Sequence, residues 1–167
     1  SAFMFLERCD KKESFPFYIQ YYDLKKDYHS LIKYHESINF SQFTNLFIKN
    51  TLSLTYCRIA EAYYHSNFYE KAYRLYLKSI DLSPNNLNLL LETAELEIKM
   101  SKFERAKIRL QKIVKLNPNF DKAYYKLCLF YLNGGNLDMA KLYFEKALKL
   151  NPDYMQEKDV IKYIENN

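Results

Sequence analysis

Pro84, Pro118 and Pro152 stand 34 residues apart, twice over. Each closes a near-copy of one phrase: Asp81-Leu82-Ser83-Pro84-Asn85, Lys115-Leu116-Asn117-Pro118-Asn119 and Lys149-Leu150-Asn151-Pro152-Asp153. A unit of this length cannot bury an apolar face alone and must stack on its neighbour. The repeat therefore predicts an array, and arrays bind other molecules far more often than they carry out chemistry.

Units ending two residues after each proline span residues 53–86, 87–120 and 121–154. Laid over one another they share a frame. Position 20 is Ala72, Ala106 and Ala140; position 8 is Ala60, Ala94 and Cys128. Position 4 is Tyr56, Leu90 and Tyr124; position 24 is Tyr76, Leu110 and Phe144. Small residues recur where two helices of a hairpin cross closely, and large ones where space between hairpins is filled. Position 11 is Tyr63, Glu97 and Tyr131, and position 7 carries Thr93 in the middle unit. Those two departures predict looser packing there, or a polar partner for Glu97. Asn67, Ser101 and Gly135 share position 15, where a turn tolerant of left-handed backbone is expected. The chain's two glycines, Gly134 and Gly135, both fall at the third such turn. Each proline then stops its unit's second helix.

The pattern resembles the tetratricopeptide repeat, with its large–small–aromatic first helix and A-x3-F…P second helix. The resemblance implies an all-α, right-handed α-solenoid of three helical hairpins. Residues 1–52 do not fit the frame and are expected to form a degenerate helical cap. Leu24, Tyr28, Leu31 and Ile32 predict one helix over residues 21–35, and Ser41 opens another over 41–49. Residues 155–167 are expected to belong to a capping helix running over 153–167. Tyr154, Ile161 and Ile164 would face the third unit, and Glu157, Lys158 and Lys162 would face water.

Composition narrows the function. No run of 18 apolar residues exists, so no membrane span is expected. The start at Ser1-Ala2, with no initiator Met, reads as a cloning scar or a cut site; an upstream signal or anchor would then have been removed. Cys9, Cys57 and Cys128 are odd in number and lack C-x-x-C spacing, which points to free thiols in a reducing, cytoplasmic compartment. The net charge is +5. The second helix of the middle unit carries Lys102, Arg105, Lys107, Arg109, Lys112 and Lys115 against Glu104, an excess equal to that of the whole chain. This is a solvated convex face or a patch for an acidic partner or membrane surface. Its lysine-rich make-up, without interleaved aromatics, disfavours nucleic acid.

His29, His35 and His65 have no metal-ligand spacing, and no phosphate loop or nucleophile motif is present. No enzyme activity, cofactor, metal or small-molecule substrate is expected. Helical geometry instead turns positions 2, 5, 6, 9 and 12 of each first helix toward a concave groove. These are Leu54, Cys57, Arg58, Glu61 and Tyr64; Asn88, Leu91, Glu92, Glu95 and Ile98; and Lys122, Tyr125, Lys126, Leu129 and Leu132. The family's co-chaperones grip a C-terminal carboxylate with a two-carboxylate clamp. Its places are held here by Cys57, Glu61, Glu92, Lys122 and Lys126, so only the third-repeat pair is basic and the clamp is disfavoured. The expected partner is another protein, presenting a peptide or amphipathic helix to the groove. Leu91, Tyr125 and Leu129 would meet its apolar anchors. Its basic part would lie near Glu61, Glu92 and Glu95, and its acidic part near Lys122 and Lys126. The competing expectation is a structural subunit of a larger complex with a self-filled groove, docking through the basic convex helix on an acidic protein, a membrane surface or RNA.

Overall fold

A computed structural model describes residues 46–165 continuously, together with Phe17, Tyr21, residues 24–27 and Ser30. Seven α-helices run through residues 46–165: α1 Leu46–His65, α2 Tyr69–Leu82, α3 Leu87–Lys99, α4 Phe103–Leu116, α5 Asp121–Asn133, α6 Leu137–Leu150 and α7 Lys158–Glu165. A 3-10 turn, Pro152–Gln156, precedes α7, and no strand occurs among the described residues. The fold is an all-α helical-repeat solenoid. The chain divides into two compact units, Ser1–Pro84 and Asn85–Asn167. The first contains the α1–α2 hairpin. The second contains the α3–α4 and α5–α6 hairpins, with α4 packed on α5 and the C-terminal elements against α6.

The turns inside all three hairpins are one motif. Asn67, Ser101 and Gly135 have φ of 62°, 59° and 72°. The next residue's N–H reaches back to the carbonyl at position 11: Phe68 to Tyr63, Lys102 to Glu97, Asn136 to Tyr131. The left-handed residue's own N–H bonds the carbonyl at position 12, so orphan carbonyls at each helix end are satisfied. Proline ends the second helices through its neighbour. Ser83, Asn117 and Asn151 have φ of −135°, −139° and −143°, the extended backbone imposed on a residue preceding proline. Asn117 and Asn151 then accept from the N–H two residues on, at 3.0 Å each.

The repeat frame is the core. Ala60, Ala94, Cys128, Ala72, Ala106 and Ala140 have no exposed surface, and Tyr56, Leu90, Tyr124, Tyr76, Leu110 and Phe144 are all buried. Lys78 lies over the Tyr56 ring and Lys146 over Tyr124, at 5.5 and 5.6 Å, the same two repeat positions in the first and third hairpins. In α1 and α2, buried Ser53 and Ser79 bond each other, Oγ to Oγ at 2.9 Å. Among the described residues, no buried side-chain nitrogen or oxygen lacks a hydrogen-bond partner.

Three expectations about the ends change. Most of residues 21–35 and 41–49 lies outside the described residues, but the described part breaks the first of these helices. Lys26 has φ 53°, and Asp27 accepts from the Ser30 N–H at 3.1 Å, as a residue opening a new helix does. Leu24, expected to pack, is exposed. The 41–49 helix does not end before the first repeat: α1 runs unbroken from Leu46 through it, because Asn50-Thr51-Leu52 contains no glycine or proline to stop it. At the other end, the single helix over 153–167 is instead the 3-10 turn followed by α7. Pro152 and the Asn151 side chain organise that turn first. The expected faces are otherwise found. Tyr154, Ile161 and Ile164, joined by Val160, pack against the Cys128–Ala140–Phe144 cluster, while Glu157, Lys158 and Lys162 are exposed.

Candidate functional site

The first helices of the hairpins present the groove positions. In the Ser1–Pro84 unit, Leu54 is exposed on α1, and Cys57, Arg58, Glu61 and Tyr64 are half-buried. Cys57 Sγ donates to Glu61 Oε1 at 3.8 Å, one helical turn on. The Tyr64 ring leans on Tyr69, with centroids 5.8 Å apart.

In the Asn85–Asn167 unit, α3 and α5 bring their groove faces together. Lys126 Nζ on α5 lies 2.8 Å from Glu95 Oε1 on α3, with about a third of each side chain still accessible (33% and 39%). Position 6 of one helix thus meets position 9 of the preceding one. Asn88 and Lys122 stand exposed at position 2, and Glu92, Ile98, Leu129 and Leu132 are half-buried.

Position 5 behaves differently from the expectation. Leu91 is buried, at 8% exposure. Tyr125 stacks on Tyr154, with centroids 4.5 Å apart and planes 19° from parallel. Burial first, and the Glu157 carboxylate second, hold its ionisation well above the usual tyrosine value. Tyr154 donates in turn to Asp121 Oδ2 at 3.2 Å, where Asn151 Nδ2 also donates at 3.2 Å. Burial, then the Asp121 charge, pushes the Tyr154 phenol up to about 12. Tyr125 therefore helps seat the C-terminal segment and is not a free anchor on the groove wall. Position 34 supplies the ring that covers position 5, a pairing visible only once the segment after Pro152 has folded.

The basic helix α4 also has a different charge inventory. Arg109 is not a surface cation: Nε donates to Glu97 Oε2 at 2.9 Å and Nη2 to Oε1 at 2.7 Å, with Glu97 fully buried. This is the polar partner that the Glu97 departure called for. Lys107 pairs with Glu104 at 3.0 Å. Arg105, Lys112 and Lys115 remain on the exposed face. The missed signal was a matched departure: Glu97 and Arg109 occupy positions 11 and 23, where the third repeat has Tyr131 and Tyr143. Burial pushes the Cys128 thiol up to about 11, which keeps it protonated in its packing position. No described helix is long and apolar enough to cross a membrane.

Helical hairpins that repeat one turn geometry define a helical-repeat scaffold. Profiles described as Tetratricopeptide repeat match residues 54–86 and 121–154, flanking the middle hairpin of the same build. Both segments are tetratricopeptide repeats. Solved structures share the fold. The first TPR of Spaghetti (RPAP3), bound to the HSP90 peptide SRMEEVD, is 24% identical over 70% of this chain and 93% of its own, with a TM-score of 0.65. The Arabidopsis OM64 TPR domain is 20% identical over 71% and 98%, also at 0.65. The Yersinia enterocolitica type III secretion chaperone SycD, in complex with a peptide of the translocator YopD, is 16% identical over 66% and 88%, at 0.60. A comparison with curated proteins returns no match.

Proposed function

We propose that this chain is a protein-interaction module that holds a peptide or amphipathic helix of a partner along the groove faces of its hairpins' first helices, as a scaffold or chaperone-like adaptor and not as an enzyme. The observation that carries this reading is the Glu95–Lys126 bridge, because it joins position 9 of α3 to position 6 of α5 on one accessible wall. Peptide-bound relatives of the same fold add support. With position 5 filled by the protein itself, a ligand lies over positions 2, 6 and 9: Asn88, Lys122, Glu92, Lys126, Glu95 and Leu129. Lys126 is already neutralised by Glu95, and a ligand carboxylate that displaced Glu95 would meet its repulsion. Exposed Lys122 is the better contact for an acidic group, with Ile98 and Leu129 receiving apolar side chains.

Peptide display against the intact chain tests this. Enriched peptides should pair apolar anchors with a carboxylate. Lys122→Glu with Leu129→Ser should weaken their binding by about tenfold or more, whereas Arg74→Ala on α2 should leave it unchanged. Equal binding to the Lys122/Leu129 variant would remove the groove reading. It would favour a structural subunit whose groove is occupied by its own Leu91, Tyr125 and Tyr154.

A further inference from the structure

The outer faces of α4 and α6 repeat a pattern that neither the core nor the groove uses. Position 22 is Ile108, 63% exposed, and Leu142, 42% exposed. The equivalent residue on α2 is Arg74, so apolar character here is confined to the Asn85–Asn167 unit. Four residues on stand Lys112 and Lys146, and three further on Lys115 and Lys149, all exposed. Spacings of four and seven place the three residues on one helix face. The opposite faces of the two helices bury Ala106, Leu110 and Ile113, and Ala140, Phe144 and Ala147. Ile108 and Leu142 therefore have no share in the hydrophobic core.

Charge decides what fits this surface. Arg105, one turn before Ile108, and Lys141, beside Leu142, add exposed cations. The acids on these helices are Glu104, bonded to Lys107, and Asp138 and Glu145 on α6. Lys146 is steadied over the Tyr124 and Tyr143 rings, at 5.6 and 5.7 Å. Ile108 and Leu142 each stand among exposed lysines. Lysine is a point charge suited to a diffuse anionic plane, and of the two guanidinium forks on α4, Arg109 is spent on Glu97. Apolar side chains among lysines on an outward helix face match a membrane interface with anionic headgroups.

We propose that the outer faces of α4 and α6 dock this protein on an anionic lipid bilayer, with Ile108 and Leu142 entering the headgroup boundary and Lys112, Lys115, Lys146 and Lys149 meeting its negative charge. This surface is separate from the groove residues, so the two can be tested independently.

The experiment is sedimentation of the full chain with phosphatidylcholine vesicles, with and without phosphatidylserine. Binding is expected with phosphatidylserine only, and raised salt should release most of it. Lys112→Glu with Lys149→Glu should weaken binding more than about tenfold. Ile108→Ser with Leu142→Ser should weaken it a few-fold, on the order of the apolar area withdrawn. All four residues are exposed, and circular dichroism checks that each variant is folded. Lys122→Glu, in the groove, should bind vesicles as the parent does. Equal binding to both vesicle types, or unchanged binding by the Lys112/Lys149 variant, overturns the proposal. So does capture of an acidic polypeptide such as polyglutamate without vesicle binding, which would make the surface a protein contact.

Discussion

The second and third hairpins close the same interhelical gap with opposite chemistry. In the third, Tyr131 and Tyr143 lie at positions 11 and 23 and stack with centroids 5.4 Å apart and planes 9° from parallel. In the second, the same positions hold Glu97 and Arg109 in a two-bond ion pair. Rings at this spacing lose energy gradually as one is trimmed, because dispersion and apolar burial are spread over many atoms. A buried ion pair behaves otherwise. Its desolvation is offset only while both charges and both hydrogen bonds are present. The backbone frame tolerates either solution, but the second hairpin depends on two residues at once.

The largest expected effect breaks that comparison. Arg109→Ala takes the opposite charge and two hydrogen bonds from buried Glu97 and should destabilise the protein by roughly 3–5 kcal/mol. Tyr143→Ala in the half-buried stack should cost about 1–3 kcal/mol. Denaturant melts of the two variants decide it: equal losses would mean that the ion pair is no more interdependent than the stack. Converting the second hairpin to the third hairpin's chemistry, with Glu97→Tyr and Arg109→Tyr together, sharpens the point. That double variant should fall far less than Arg109→Ala, because it removes the buried carboxylate together with the guanidinium.

A second contrast lies at positions 5 and 34, where the second hairpin has Leu91 and Phe120 and the third has Tyr125 and Tyr154. Only the third pair can titrate. The Tyr154 phenol rises to about 12 in the folded protein, against about 10 for an unfolded tyrosine. Between these values the unfolded chain gives up a proton that the folded chain keeps. Stability is therefore complete below pH about 10 and declines as pH rises toward about 12. Tyr125 is shifted in the same direction and extends the decline. Thermal melts across this window should fall, and Tyr154→Phe should flatten part of the slope. A slope unchanged by Tyr154→Phe would show that other groups carry the alkaline sensitivity.

The same contrasts explain what could be read from the sequence. Core positions 4, 8, 20 and 24 were legible because three copies show each environment, and an alanine or an aromatic recurring in register has few physical causes. The position-15 turn was legible for the same reason. Glu97 stood out as a departure, but its partner twelve residues on required pairing two departures between helices. The sequence points Tyr125 to the groove because its position carries no packing duty inside a repeat. Its neighbours, Tyr154 and Glu157, lie in the segment after Pro152, which has no further copy to set a frame. The break at Lys26-Asp27 carries no glycine or proline, and the continuation of α1 through residues 50–52 follows from that same lack of a breaker. Of the groove, the Glu95–Lys126 bridge needed the register between α3 and α5, which repeat spacing alone does not supply.

The smallest expected effect tests whether the hairpins share one turn. Ser101 adopts φ 59° in the second hairpin and Gly135 φ 72° in the third. A side chain in this region crowds its own backbone, whereas glycine enters it without that penalty but loses more freedom on folding. A Cβ built at Gly135 meets nothing within 4 Å, so backbone strain is the only local cost there. Ser101→Gly should thus stabilise by about 0.5–1 kcal/mol, and Gly135→Ser should destabilise by a similar amount. The double exchange should return close to the parent, because the sites lie in different hairpins and should add. Chemical melts resolve differences of this size. If Ser101→Gly destabilises, the serine hydroxyl contributes a bond to its turn that Gly135 lacks, and the two turns are not equivalent.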